Sequence, residues 1–327
     1  MNTTNTYAFS LQEVDNWKRH LDEEGFVVLK RVADANQISG AVSRMWDFLE
    51  GLGTGIRRSS PDTWKNANWP HSLSTGIISQ HGIGQSDFLW WCRLIPQVRS
   101  VFEQLWGTKD LLVSFDGAGI FRSPEYGTAK SKSKDQHWFH IDQNPSHQPG
   151  RCAIQGMLNL LPSKPTDGGF LVLPKSHTYF SALASLKVGL SAPTKRFFSV
   201  IEHMDIFDGI KPVKVNADAG DFILWDSRTV HCNVPPRATP LSPKKQISRL
   251  VAYICMTPSS STDDLALLTK LRQASVKESV TTNHWPHYFC PNRNPRFLHK
   301  NIPNTTKVSV SPLAESDEAK RLITGSK

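Results

Sequence analysis

From about residue 111 to residue 257 the chain reads as short apolar runs separated by turn formers, and this limits the folds open to it. The runs are 111–115, 153–161, 170–173, 222–225, 229–232 and 249–257, and Gly168-Gly169 and Ala219-Gly220-Asp221 mark turns between them. Many short strands after a helical start predict an antiparallel sandwich or barrel faced by helices, a mainly β fold.

The helical start is written in its caps. Ser10 and Glu13 form an S-x-x-E box ahead of Leu11, Val14, Trp17 and Leu21, which share a helical face. Gly25 stops that helix, and Phe26-Val27-Val28-Leu29 reads as a buried strand. Asp34 and Gln37 repeat the box before Ile38, Val42, Met45 and Leu49. Residues 51–82 lack a period and are expected to wrap irregularly on the body. A third helix is expected over 95–106 and a late one over 264–275, with a polar, loosely ordered tail from Asn301. One domain, 1–327, is expected: 10–110 as helical support and irregular lid, 111–257 as the core, 258–327 as C-terminal helix and tail.

Chemistry enters with His137-Trp138-Phe139-His140-Ile141-Asp142. On a strand, residues i and i+2 point to one face, so His140 and Asp142 can hold one metal from one side. His231 lies 89 residues beyond Asp142, after the apolar run 222–225. Two histidines and one carboxylate leave three positions of an octahedral iron open, enough for a bidentate cosubstrate and dioxygen together. A cosubstrate with a distal carboxylate needs a cation, and Arg249 begins a strand 18 residues beyond His231. Its fork can clamp a carboxylate in two places, and a strand positions such an anchor better than the loop carrying Arg237. Gln155 and Asn159 on the strand after the ligand pair, Asn233 beside the distal histidine, and Arg122 are candidates for lesser cofactor contacts.

His177 sits in a turn and reads as structural. His137 would face away from His140 on a regular strand and is expected to line the site or the surface. His284, His287 and Cys290 lack the fourth ligand of a zinc site. Arg228 reads as an ion-pair partner.

Thirty-eight basic residues against 29 acidic ones give a net charge of +9, which concentrates anions near the surface. Lys130, Lys132 and Lys134 precede the ligand pair, while Arg237, Lys244 and Lys245 follow the distal histidine. This placement makes an anionic substrate a reasonable expectation. Five scattered cysteines without a C-x-x-C argue against a disulfide framework. With no signal-like N-terminus and no apolar run near the ~20 residues of a membrane span, a cytoplasmic location is expected. No G-x-G-x-x-G, Walker A, G-x-S-x-G or H-E-x-x-H occurs, so dinucleotide, nucleotide-hydrolase, serine-hydrolase and zincin readings lack support.

Taken in order, several motifs resemble the phytanoyl-CoA dioxygenase-like family of 2-oxoglutarate oxygenases. They are Gly25 to Leu29, His140-x-Asp142, Gly168-Gly169-Phe170-Leu171-Val172-Leu173-Pro174-Lys175-Ser176-His177, Gly220-Asp221 leading to Arg228-Thr229-Val230-His231, and Arg249. The family often has glycine where Lys175 stands. The resemblance implies a double-stranded β-helix (jelly-roll, cupin-like) core, Fe(II) and 2-oxoglutarate. It also implies an oxygenase that hydroxylates, or otherwise oxidises, a C–H bond using O2. Asp142 disfavours the halide-binding variant of such a site. A small-molecule substrate is expected. A protein or nucleic-acid hydroxylase, a silent metal-binding module and a zinc hydrolase with the same ligands are the alternatives.

Overall fold

A computed structural model describes residues 6–70, 75–123, 126, 137–190, 195–236, 247–292, 302 and 308–325. Lys130, Lys132, Lys134, Arg237, Lys244 and Lys245 lie outside the described residues.

Fourteen strands among the described residues form three sheets. The largest contains β1 (Ala8–Ser10), β2 (Phe26–Lys30), β3 (Ile77–Ile78), β5 (Ala118–Arg122), β7 (Ile154–Asn159), β11 (Phe222–Asp226) and β13 (Ile247–Tyr253), in the order β1-β2-β11-β7-β13-β5-β3. The second contains β6 (His140–Ile141), β8 (Gly169–Val172), β9 (Phe198–Ser199), β10 (Val213–Lys214) and β12 (His231–Val234), in the order β10-β8-β12-β6-β9. The third pairs β4 (Leu111–Val113) with β14 (Met256–Pro258). Apart from parallel β1–β2, the pairs are antiparallel. The sheets form a jelly-roll that does not close into a barrel.

Side-chain alternation sorts each strand between two environments. Leu29, Leu158, Phe222, Leu224, Leu250 and Ala252 join the main core beneath the helices. Their neighbours Val28, Met157, Ile223, Trp225 and Val251 meet Phe170 and Val172 of the second sheet. On that sheet Leu171, Ile141 and Cys232 face outward into a smaller cluster with Phe180 and Leu183 of α5 (Phe180–Ser185). The inter-sheet space therefore receives every second residue of β7, β8, β12 and β13, and these include polar ones.

Helices cover the outer face of the large sheet. α2 (Ala35–Gly51) starts with the expected box, Gln37 N–H donating to Asp34 Oδ1 at 2.8 Å and Asp34 N–H to Gln37 Oε1 at 2.9 Å. α1 (Val14–Glu24) ends as expected, with Gly25 at φ +80° donating to Leu21 O. Its start differs: Ser10 is held extended in β1, so its hydroxyl turns to Gln12 and the helix begins only after Glu13. α3 (Asp87–Arg93) was not expected; Phe88, Leu89, Trp90, Cys92 and Arg93 are all buried, so it lacks the one-sided period that marks a surface helix. α4 (Pro96–Trp106) and α6 (Leu265–Lys277) match their expected positions closely.

Two expectations need correction. The run 249–257 is two strands, because Cys255 N–H bonds to Ser114 Oγ and Met256 pairs with Val113 of β4. The tail is not uniformly loose: α7 (Asp317–Thr324), capped by Ser316, buries Ala319, Leu322 and Ile323.

Candidate active site

β12 and β6 place His231 directly opposite His140, and Asp142 N–H donates to Ser227 O at 3.0 Å. The His140 Nε2–Asp142 Oδ1 and His231 Nε2–Asp142 Oδ2 distances are 3.7 and 3.3 Å. All three ligand atoms lie within 4.8 Å of one another, and no other described group of three or more His, Cys, Asp or Glu converges in this way. The two histidines are tied back identically, His140 Nδ1 to Trp138 O at 3.1 Å and His231 Nδ1 to Thr229 O at 2.9 Å. A carbonyl at Nδ1 fixes the proton there and leaves the Nε2 lone pair for a metal. Burial, together with the neighbouring His231, lowers the pKa of His140 to about 3, so that imidazole is neutral. Burial alone would raise Asp142, but the imidazoles of His284, His140 and His231 hold it below the usual carboxylate range. Two imidazoles that turn Nε2 inward, with an anion between them, fit a divalent cation.

From β7 on the opposite sheet, Gln155 Nε2 donates to Asp142 Oδ2 at 3.0 Å. Losing such an outer partner costs metal affinity, so Gln155→Leu is expected to weaken Fe(II) binding by about 10- to 100-fold, read by competition with a coloured chelator. Wild-type affinity in that variant would show that Asp142 needs no such support.

The three ligands line a cavity of about 690 Å³ with Gln155, Asn233, Tyr253, Phe170 and Trp225, and its size suits a small organic molecule. Arg249 lies behind this lining, 2% exposed. Its Nη2 contacts Met157 Sδ at 3.2 Å, and its Nη1 has no partner. Gly119 makes room for it: a Cβ there would stand 3.0 Å from Arg249 Nη1 and 2.8 Å from Tyr253 Oη. Tyr253 thus reaches from the cavity to the arginine, and Asn233 Nδ2 donates to Tyr253 Oη at 3.0 Å. A buried guanidinium with a free N–H, beside a space kept open by glycine, fits the distal carboxylate of 2-oxoglutarate.

Two candidates are not brought to the cavity. Arg122 donates to Trp64 O and to Asn66 Oδ1 and stacks over Trp69 at 4.5 Å, pinning the irregular 61–70 segment. Asn159 sits further along β7, where its main chain bonds Asp221 and Gly220. The residues set aside from the site divide. His177 Nε2 bonds Asp22 O, and Arg228 pairs with Asp226 at 2.7 Å. His284, by contrast, lines the cavity and hydrogen-bonds the main chain of Asp142.

Sequence reasoning also missed Asp116 and Lys214. Asp116 lines the cavity, and burial pushes its carboxyl up to about 7. Lys214 Nζ donates to Ser163 Oγ at 2.9 Å; burial and the nearby Arg249 lower its pKa to about 8. A Cβ on Gly169 would lie 3.3 Å from both Lys214 Nζ and Arg249 Nε, so two cations share one corner. Neither residue belongs to a motif or to a periodic pattern that could have singled it out.

Comparison with known proteins agrees with this geometry. Residues 21–232 match the phytanoyl-CoA dioxygenase (PhyH) family. The chain is 29% identical to the Ava biosynthesis cluster protein O of Aspergillus versicolor, over 83% of this chain and 86% of that one. It is 24% identical to a Dictyostelium discoideum protein described as a phytanoyl-CoA dioxygenase, over 79% and 84% of the two chains. Its fold resembles the non-haem α-ketoglutarate-dependent carbocyclase SnoK from nogalamycin biosynthesis, with TM-score 0.50 and 15% identity over 74% of this chain and 83% of that one. The chain belongs to the phytanoyl-CoA dioxygenase family and is an Fe(II)- and 2-oxoglutarate-dependent oxygenase.

Proposed function

We propose that this enzyme hydroxylates a C–H bond of a small organic substrate, with Fe(II) on His140, Asp142 and His231 and the distal carboxylate of 2-oxoglutarate on Arg249. The observation that carries the reading is the convergence of three ligand atoms on a cavity wall backed by a buried guanidinium with a free N–H. When bound, iron and 2-oxoglutarate supply the oxidant, as O2 converts the cosubstrate to succinate and CO2 and one oxygen atom is delivered to the substrate.

The chain's own residues set the frame for that chemistry. Trp138 O and Thr229 O hold the two imidazoles in one tautomer, and Gln155 steadies the carboxylate. Tyr253 and Asn233 offer polar groups between the metal ligands and Arg249, with Lys214 adding charge in the same corner. Phe170 and Trp225 pack around His231 at 5.5 and 5.6 Å between ring centroids and keep water from that side.

The protein or nucleic-acid alternative draws on the net positive charge, and the basic residues Lys130, Lys132, Lys134, Arg237, Lys244 and Lys245 lie outside the described residues. The cavity favours a small molecule instead. No helix among the described residues is long and apolar enough to cross a membrane. A cytoplasmic location is supported by five unpaired cysteines.

The test is succinate formation by anaerobically iron-loaded protein, with and without O2, for the wild type and Arg249→Met. Succinate should require both iron and O2. The variant should need roughly 10- to 100-fold more 2-oxoglutarate, the worth of a charge-assisted hydrogen bond. An unchanged requirement would remove Arg249 from the role; 2-oxoglutarate that neither binds nor turns over would remove the reading itself.

A further inference from the structure

Part of the cavity lining comes from neither of the two large sheets: Ser79, Asp116, Asn283, His284 and Asn292. The last three lie beyond residue 232, where the family match ends. This wall is firmly built. Thr282 N–H donates to Phe115 O at 2.9 Å, Phe115 N–H to Thr282 Oγ1 at 3.2 Å, and Asn292 N–H to Thr281 O at 2.9 Å. Residues 281–292 are thereby fixed beside Asp116.

The cavity holds two carboxylates with different surroundings. Asp142 is committed to the metal ligand set. Asp116 accepts one hydrogen bond, from Gly117 N–H at 2.6 Å, and no ion pair joins it to another described residue. The nearby Arg93 turns Nη1 to Gly84 O at 2.6 Å and Nη2 to Asp116 O at 3.1 Å, while its Nε has no partner. Lys195, the lysine among the described lining residues, sits 5.4 Å over the Phe198 ring. Burial pushes the Asp116 carboxyl up and outweighs the opposing charge of Arg93, whose hydrogen bonds go to carbonyls and not to this carboxylate. A half-enclosed carboxylate in this state is costly unless something charged or strongly donating meets it. Trp138 and the exposed Phe197 supply aromatic surface in the same cavity.

We propose that Asp116 determines substrate specificity by receiving a protonated nitrogen, an ammonium or guanidinium, of a small molecule whose apolar part lies against Trp138 and Phe197. The inference deepens the oxygenase reading and rests on it for the identity of the cavity as the substrate's.

The test is calorimetric titration of protein loaded anaerobically with Fe(II) and 2-oxoglutarate, using phenethylamine and 3-phenylpropionate, probes of similar size and opposite charge. The amine should bind roughly tenfold tighter or more, the worth of one charge-assisted hydrogen bond. Asp116→Asn keeps an acceptor for Gly117 N–H and should erase the preference, while Asp116→Glu should restore it. The 2-oxoglutarate affinity of each variant reports whether it is folded. Equal affinities, tighter binding of the propionate, no binding of either probe, or a folded Asp116→Asn protein that keeps the preference would overturn the proposal. 2-Oxoglutarate that neither binds nor turns over would sink the oxygenase reading, and this inference with it. Succinate formation without an amine preference would sink this inference alone.

Discussion

An Asp142→Ala protein should form no measurable succinate from 2-oxoglutarate, a loss well beyond the roughly 100-fold cost of an outer partner such as Gln155. Asp142 is the anion that faces both Nε2 atoms, at 3.7 and 3.3 Å. Without it two imidazoles remain, and these bind a divalent ion weakly. Stability should respond far less. In metal-free protein the change strands Gln155 Nε2, worth about 1 kcal/mol. Iron content and succinate should therefore collapse together while the unfolding midpoint barely moves. Retention of more than ~10% of wild-type turnover would exceed what loss of even an outer partner allows and would take Asp142 out of the ligand set.

The second large effect falls on stability and lies away from the metal. Arg272 of α6 is buried and donates to four main-chain carbonyls: Ile323 O at 2.7 Å, Leu322 O at 3.1 Å, Pro286 O at 2.9 Å and Val113 O at 2.6 Å. Its guanidinium also stacks over Phe115 at 4.4 Å. Burial lowers its pKa to about 9, so it stays cationic at neutral pH, and the four acceptors compensate the buried charge. Arg272→Met leaves those carbonyls without their donor and should cost about 3–5 kcal/mol, as for other broken buried charge contacts. Urea unfolding measures this, and a loss below ~1 kcal/mol would show that water replaces the arginine. One side chain here ties α7, β4 and the 281–292 segment together. Proteolysis should accordingly release the C-terminal segment first.

What could be read from the amino-acid order follows from how local each signal is. His140 and Asp142 were legible because strand alternation puts i and i+2 on one face, and His231 because it follows an apolar strand. Arg249 is picked out because it opens a strand 18 residues beyond His231, and Gln155 by position alone, though its side chain meets Asp142. Asp116 and His284 were not. Asp116 occupies the link between β4 and β5, and His284 reaches the site through contacts more than 100 residues distant in sequence. α3 hid because it is buried all round, and α7 because its three apolar contacts sit in a polar tail. Lys175 shows the reverse case. It stands where the family often has glycine and takes φ +63° itself, held by its N–H on Glu24 O at 2.9 Å and its Nζ at 3.3 Å from Glu24 Oε1. The turn thus takes a left-handed residue without the glycine that makes one easy.

The strand order also governs how the chain can assemble as it is synthesised. β13 lies between β7 and β5, yet it emerges after both, and β2 waits for β11 before it gains its antiparallel neighbour. Roughly 90 residues separate the end of β7 from β13, an interval of about 4–18 s at ordinary translation rates. During that interval the inner edges of β7 and β5 have no partner, and an open strand edge invites pairing with another nascent chain. The pairing is long-range, so closure is slow even after the last strand emerges. Recovery of active protein should thus depend on synthesis rate, temperature and chaperone supply more than the stability of the finished fold would suggest.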